Sequence, residues 1–166
     1  RDESRATARR DARGPRRLTW RRQYRLRKLF RILQTMDLLP PSDDDSHDER
    51  HRVLAEFDKQ LRQSPKCLDP QAAHRMLPYV LRARALDEKL PRHAFGRALY
   101  HLAQRRGFLS NLKAAKKDED LGKVKKGISE LQELIEQSGS RTLGEYFAGI
   151  DPEQDRIRDR WTARRM

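Results

Sequence analysis

Between Arg1 and Arg31 the chain carries twelve arginines and Lys28 against Asp2, Glu3 and Asp11, a net charge of +10 in one short stretch. The end of that stretch is not uniformly polar. Leu26, Leu29, Phe30, Leu33 and Met36 recur at steps of three and four, which at about 100° per residue makes one apolar stripe along a helix. On the same wheel Arg10, Arg13, Arg17, Arg21, Tyr24, Lys28 and Arg31 fall within about 60° of the opposite direction. Such a segment packs one side and leaves the other to solvent or to an anion. Like charges at i and i+4 repel by a few tenths of a kcal/mol per pair, so the column is best held where an anion compensates it. The preference for arginine over lysine favours phosphate, whose oxygens a guanidinium meets with two parallel hydrogen bonds. A solvated basic face or an unstructured basic arm is the bland alternative, and the apolar stripe argues against the arm. Gly14-Pro15 is expected to break the helix, because proline lacks a donor and clashes with the preceding turn. Regular helix is therefore predicted from near Pro15, after an extended lead of about a dozen residues.

The whole chain has 166 residues, a net charge of +13 and a sequence pI near 10.4, so a polyanion is the first partner to consider. At this length it is one domain or one piece of a larger protein. It starts at Arg1 and stops at Met166 within another basic stretch, which is expected of an excised segment. No apolar run approaches the roughly 18 to 20 residues that span a bilayer, so no membrane partner is expected. Cys67 is the single cysteine, which excludes an intrachain disulfide and a multi-cysteine zinc site and fits a reducing compartment. His47, His51, His74, His93 and His101 show no H-E-x-x-H spacing, and no glycine-rich phosphate loop is present. Three consecutive loop carboxylates, Asp43, Asp44 and Asp45, rarely converge on one Mg²⁺. No catalytic residue and no metal ligand is therefore assigned.

From Asp37 to Asp58 the balance reverses, with eight acids against Arg50 and Arg52. Pro40-Pro41 followed by Ser42 to Ser46 reads as a breaker and a solvated acidic loop, and 40–70 is taken as an acidic variable linker. Beyond Pro65 short amphipathic helices are predicted and no alternating β-branched run, so the fold class is all-α. Phe95, Leu99, Leu102 and Ala103 are expected to line the packed face of a helix over 91–106, capped by Gly107. Arg105 and Arg106 in its last turn suit either the helix dipole or an anion. Leu121, Val124, Ile128, Leu131, Leu134 and Ile135 form another stripe, ended by Ser138-Gly139. Thr142 with Glu145 predicts a capping box on a short helix whose Tyr146 and Phe147 belong to the core.

Two of these stretches together resemble a known family. Arg9-Arg10-Asp11-Ala12-Arg13-Gly14-Pro15-Arg16-Arg17, continuing through Arg21-Arg22 and Arg25 to Leu29, resembles the arginine-rich bridge helix of the CRISPR type II RNA-guided DNA nucleases, the Cas-nine family. Leu77 to Leu90, followed by Phe95 to Phe108 and Ser110-Asn111, resembles the opening of the recognition lobe in the compact, type II-C-like members. Leu143-Gly144-Glu145-Tyr146-Phe147 and the tail Arg158 to Met166 continue the pattern in the same order. Gly14-Pro15 departs from it, since relatives continue there with helix-compatible residues.

The resemblance implies a long arginine-rich bridge helix over 1–39, the linker, and the N-terminal part of a helical recognition lobe over 71–166. It implies contact with guide RNA (crRNA and tracrRNA) and with the target DNA strand through the backbone, with sequence reading left to base pairing. The residues carried over are Arg9, Arg10, Arg13, Arg16, Arg17, Arg21, Arg22 and Arg25, joined from the wheel by Lys28 and Arg31. Arg105, Arg106, Ser110 and Asn111 form a second set, and Arg158, Arg160, Thr162 and Arg164 a third. The parent would be an Mg²⁺-dependent endonuclease of bacterial antiviral defence, cytoplasmic, with its catalytic residues outside this segment. A protein inhibitor of the nuclease is a further possible partner. The rivals are a stand-alone basic helical RNA-binding protein of the ribosomal type and a basic module docking onto an acidic protein.

Overall fold

A computed structural model describes residues 5–64, 76–105 and 118–150, and all regular structure among them is helical. Among the described residues six helices occur in this order: α1 (Arg5–Thr35), α2 (His47–Gln63), α3 (Leu77–Arg84), α4 (Arg92–Arg105), α5 (Asp118–Gln137) and α6 (Leu143–Gly149). The all-α expectation holds.

The first helix runs straight through Pro15, with no extended lead among the described residues. The expected break does not form because residues 12–22 are exposed on every side. No packed neighbour therefore opposes the small distortion that the proline ring and its missing donor impose there. The C-terminal part of α1 supplies its residues in the core clusters of the described residues. Leu26, Phe30 and Leu33 are buried against Leu39, Leu54 of α2 and Tyr100 of α4, with the Phe30 and Tyr100 rings edge to face at 5.6 Å. Met36, expected on this stripe, is exposed, since the helix has ended at Thr35 and the chain is already turning.

That turn is built around Asp37, whose φ of 54° lies in the left-handed region. Leu38 N–H donates to the Leu33 carbonyl at 2.7 Å and Asp37 N–H to the Gln34 carbonyl at 2.9 Å, the double bond of a left-handed helix C-cap. Arg92 of α4 completes the cap by donating to the Met36 carbonyl at 2.7 Å. The approach of α4 is close. A Cβ on Gly96 would overlap the Leu38 carbonyl and lie 2.9 Å from the Leu38 Cβ.

The stretch 40–70 is not a linker throughout, because α2 occupies 47–63 within it. Ser46 caps α2 by accepting from Glu49 N–H at 3.1 Å, and Leu54, Phe57 and Leu61 bury one face. Phe57 and Leu61 join Leu77 and Leu81 of α3 and Leu90, Ala94 and Ala98 at α4 in a second core cluster. A third cluster sets Tyr79 of α3 against Phe147, Ala148 and Ile150. Helix α4 thus lies between the first two clusters.

The packed face of α4 differs from the one expected. Ala94, Gly96, Arg97, Ala98, Tyr100 and His101 are buried, whereas Phe95 and Leu102 are exposed and Leu99 and Ala103 half-buried. Small residues let neighbouring backbone approach, and Arg97 enters the interior because Asp58 meets it there. Gly107 lies outside the described residues.

The capping box of α6 forms as the sequence implies. Thr142 Oγ1 accepts from Glu145 N–H at 3.2 Å and the Glu145 carboxylate accepts from Thr142 N–H at 3.2 Å. Phe147 is buried and Tyr146 half-buried in the third cluster. On α5, Ile128 and Leu134 are exposed and Leu131 and Ile135 half-buried, so its stripe is not a core face; the side chains of Leu121 and Val124 lie outside the described residues. Gly139, at φ 69°, ends α5 with Ser140 N–H donating to the Ile135 carbonyl at 3.2 Å.

Candidate nucleic-acid interface

The sequence-predicted arginines of α1 divide by what they touch. Arg9, Arg10, Arg13, Arg16, Arg17 and Arg21 are exposed, and no carboxylate among the described side chains pairs with them. Since α1 rises about 1.5 Å per residue, steps of three and four residues present a cation about every 5 Å along the exposed face.

Nearer the core the cations are engaged. Arg22 donates from Nη2 to the Gln104 carbonyl at 2.9 Å, satisfying one of the open carbonyls at the end of α4. Arg25 donates from Nε to the Arg21 carbonyl at 3.1 Å. Arg27 and Arg31 both pair with Asp45, the former at 2.9 Å. The acidic loop was expected as a solvated turn, yet it folds back onto α1. Gln34 Nε2 donates to the Pro40 carbonyl at 2.7 Å and to Ser42 Oγ at 3.0 Å. Ser46 N–H donates to Asp44 Oδ1 at 2.6 Å. The Asp45 carboxyl is held below the usual carboxylate range by the Arg27 hydrogen bond, against the opposing effect of burial, with further help from Arg27, Arg31 and Arg50 charge. Asp45 thus occupies the two arginines nearest the core as a phosphate would.

Arg50 fixes this loop from below. It is buried, donates to the Asp45 carbonyl and reaches Gln23 Oε1 at 3.2 Å.

Two features went unnoticed in the sequence. Arg27 was not singled out, although it lies four residues before Arg31 and so shares its side of the helix. Trp20 is 65% exposed, and its ring stacks on Tyr24 with centroids 5.3 Å apart and planes 11° from parallel. Lys28 Nζ lies over the Tyr24 ring, 4.8 Å from its centroid. The i, i+4 spacing of Trp20, Tyr24 and Lys28 was the signal that could have revealed the stack.

Arg105 is exposed in the last turn of α4. Arg106, Ser110, Asn111, Arg158, Arg160, Thr162 and Arg164 lie outside the described residues. Behind Arg105, His101 is buried edge-on to Tyr79 at 4.6 Å. Burial, then the charges of Arg97, Arg105 and Arg82, push its pKa down to about 3. The imidazole is therefore neutral and contributes no positive charge to an anion site at neutral pH. Among the described residues no three His, Cys, Asp or Glu side chains converge as a metal site, and no helix is long and apolar enough to cross a membrane.

A basic helix standing clear of a small helical core, with its free cations on one side, suits a polyanionic strand. The chain is similar to a CRISPR-associated endonuclease, Cas9. The relative, from Campylobacter jejuni, is 31% identical over 145 residues, which cover 87% of this chain and 13% of that protein. The chain thus corresponds to a small part of the Cas9 length, and the aligned part includes most of what is described above. No family model and no solved structure matches it.

Proposed function

We propose that this chain is the bridge-helix and early recognition-lobe segment of an RNA-guided DNA endonuclease of CRISPR defence, and that it binds nucleic acid without cutting it. One observation carries the reading: Arg9, Arg10, Arg13, Arg16, Arg17 and Arg21 stand exposed, with no carboxylate of the described side chains against them, on one helix whose other end is anchored in the core. The similarity to a CRISPR-associated endonuclease, Cas9, supports this reading.

In this reading α1 follows the guide-RNA backbone and presents the guide for pairing with the target DNA strand. Charge and A-form shape are what the protein recognises, and base pairing reads sequence. Residues 1–39 are the bridge helix and 71–166 the start of the recognition lobe, with α2 as a strut between them. Arg105, Arg106, Ser110 and Asn111, then Arg158, Arg160, Thr162 and Arg164, extend the contact to the RNA scaffold. Metal-dependent cleavage belongs to other parts of the parent, in the bacterial cytoplasm. An inhibitor protein that arrays carboxylates as phosphate mimics would compete for the same arginines.

The test is binding of the chain to a type II guide-RNA scaffold with its seed, in competition with a shuffled RNA of equal length at near-physiological salt. Preference for the scaffold, with affinity falling by orders of magnitude as salt rises, is the expected result; each phosphate contact contributes a slope of roughly −0.7 to −0.9 in log K against log salt. Replacing Arg13, Arg17 and Arg21 together by alanine removes about three contacts from that slope. Equal binding to both RNAs would leave only a general polyanion binder, and a flat salt response would remove the phosphate reading altogether.

A further inference from the structure

Of the three aromatic side chains along α1 only Phe30 belongs to the core, and Tyr24 is engaged on the surface. Phe30 is fully buried, and Tyr24 meets Trp20 and Lys28. Trp20 is the exception. At 65% exposure it is the most exposed large apolar side chain among the described residues, and a solvent-facing indole gains nothing from burial. Its orientation is nevertheless fixed, because one ring face is held nearly parallel to Tyr24 at 5.3 Å. Lys28 engages the Tyr24 ring, and the indole of Trp20 stays largely exposed.

The charges around that exposed ring say what fits it. Arg16 precedes Trp20 by one helical turn, and Arg13, Arg17 and Arg21 are its neighbours at steps of seven, three and one. All four are exposed. A flat apolar group flanked by anions on a flexible link would satisfy the ring and the arginines together, and an unpaired nucleotide is such a group. Purine and pyrimidine faces stack on indole without regard to sequence, while the flanking phosphates meet guanidinium groups. Paired bases are already stacked on one another, so a continuous duplex offers this ring nothing but its end.

We infer that the outer face of Trp20 is a stacking site for one unpaired nucleobase of a bound RNA strand, with Arg16 and Arg17 holding the adjoining phosphates. This rests on the phosphate-binding reading of α1 and adds a base contact to it. The Trp20–Tyr24 stack acts as a fixed end-stop: the base stacks on a surface already held in place and no side chain has to be ordered on binding. Bases are thereby held at one position along a helix that otherwise touches only backbone.

Tryptophan emission tests the site directly. In the full chain carrying Trp161→Phe, Trp20 is the sole indole. A short single-stranded RNA is expected to quench its emission saturably, whereas inorganic polyphosphate, which offers charge without bases, binds and leaves emission unchanged. Trp20→Leu should weaken the RNA by on the order of five- to a hundredfold, the range of one lost stack, and leave polyphosphate affinity intact. Trp20→Phe should retain most of the binding. Because Trp20 is outside the core, circular dichroism of both variants should match the parent chain.

Polyphosphate binding with a steep salt response but no RNA quenching would overturn the base site and leave the phosphate reading standing. Failure of both ligands to bind would overturn both. Equal quenching by polyphosphate, or by a long continuous RNA duplex at the same nucleotide concentration, would overturn stacking as the cause. Tighter binding of the matching DNA strand would overturn RNA as the occupant.

Discussion

Arg97 of α4 grips Asp58 of α2 through two parallel hydrogen bonds, Nε to Oδ1 at 2.7 Å and Nη2 to Oδ2 at 2.8 Å. The guanidinium is buried and the carboxylate only partly so, which makes this the innermost ion pair among the described residues. Removing one partner strands the other charge. Arg97→Ala or Asp58→Asn should therefore cost about 2–4 kcal/mol, whereas the double exchange to apolar residues should recover part of it. Urea unfolding of the two single variants and the double variant measures this. A loss below about 0.5 kcal/mol in each single variant would mean that the pair is merely a surface contact.

Gly96 sets the distance between α4 and the end of α1. Since a Cβ there overlaps the Leu38 backbone, Gly96→Ala should displace one element and destabilise the chain by about 1–3 kcal/mol. At Gly144 the nearest atom to a built Cβ is 3.5 Å away, so Gly144→Ala should be neutral or mildly stabilising. Thermal melts of the pair give opposite signs if crowding, and not the loss of glycine as such, is the cause.

His101 supplies a pH dependence. Its folded pKa of about 3 lies below the ordinary value of 6.5, so between those limits the unfolded chain binds a proton that the folded chain refuses. Stability contributed by the neutral imidazole is complete above pH 6.5 and falls as pH drops toward 3, by up to about 1.4 kcal/mol per pH unit. Unfolding free energies at pH 7.5 and 5 should differ accordingly. In His101→Phe, which keeps a ring against Tyr79, that part of the slope should vanish. An unchanged slope would assign the acid sensitivity to other groups.

Asp45 competes with any external anion for Arg27 and Arg31. Asp45→Asn frees both, and polyanion affinity should rise severalfold, with the salt slope steeper by as much as two contacts, roughly −1.4 to −1.8 in log K. Arg50 is an unsuitable surface control for such measurements, because it is buried beneath this loop.

What the sequence disclosed follows a physical division. The Leu26, Phe30 and Leu33 stripe and the Thr142 to Glu145 capping box depend on spacing within a single helix, and both formed as read. The buried face of α4 depends on partners far away in sequence: Asp58 draws Arg97 inward, and Leu38 packs on a glycine. Helix α2 had readable signals in Ser46 with Glu49 and in Leu54, Phe57 and Leu61, but its acidic composition hid them. Pro15 misled because the rule against helical proline weakens where no packed neighbour opposes the distortion. For the interface, the arginines read from the wheel before Arg22 are exposed, as are all the residues 12–22 around them, while Asp45 and Gln104 claimed Arg31 and Arg22, which no local pattern could exclude.

Among the described residues the core holds α1 from Arg22 onward, so the stretch before Arg22 behaves as a cantilever. From Arg22 to Arg9 the beam is roughly 20 Å long at 1.5 Å per residue. A tilt of about ten degrees at the clamp therefore sweeps the far arginines through roughly 3 Å, with no change in the helix itself. Leverage of this kind lets a rigid row of cations track a strand whose path varies, and makes the contacts of Arg22 and Gln23 the pivot that sets its reach.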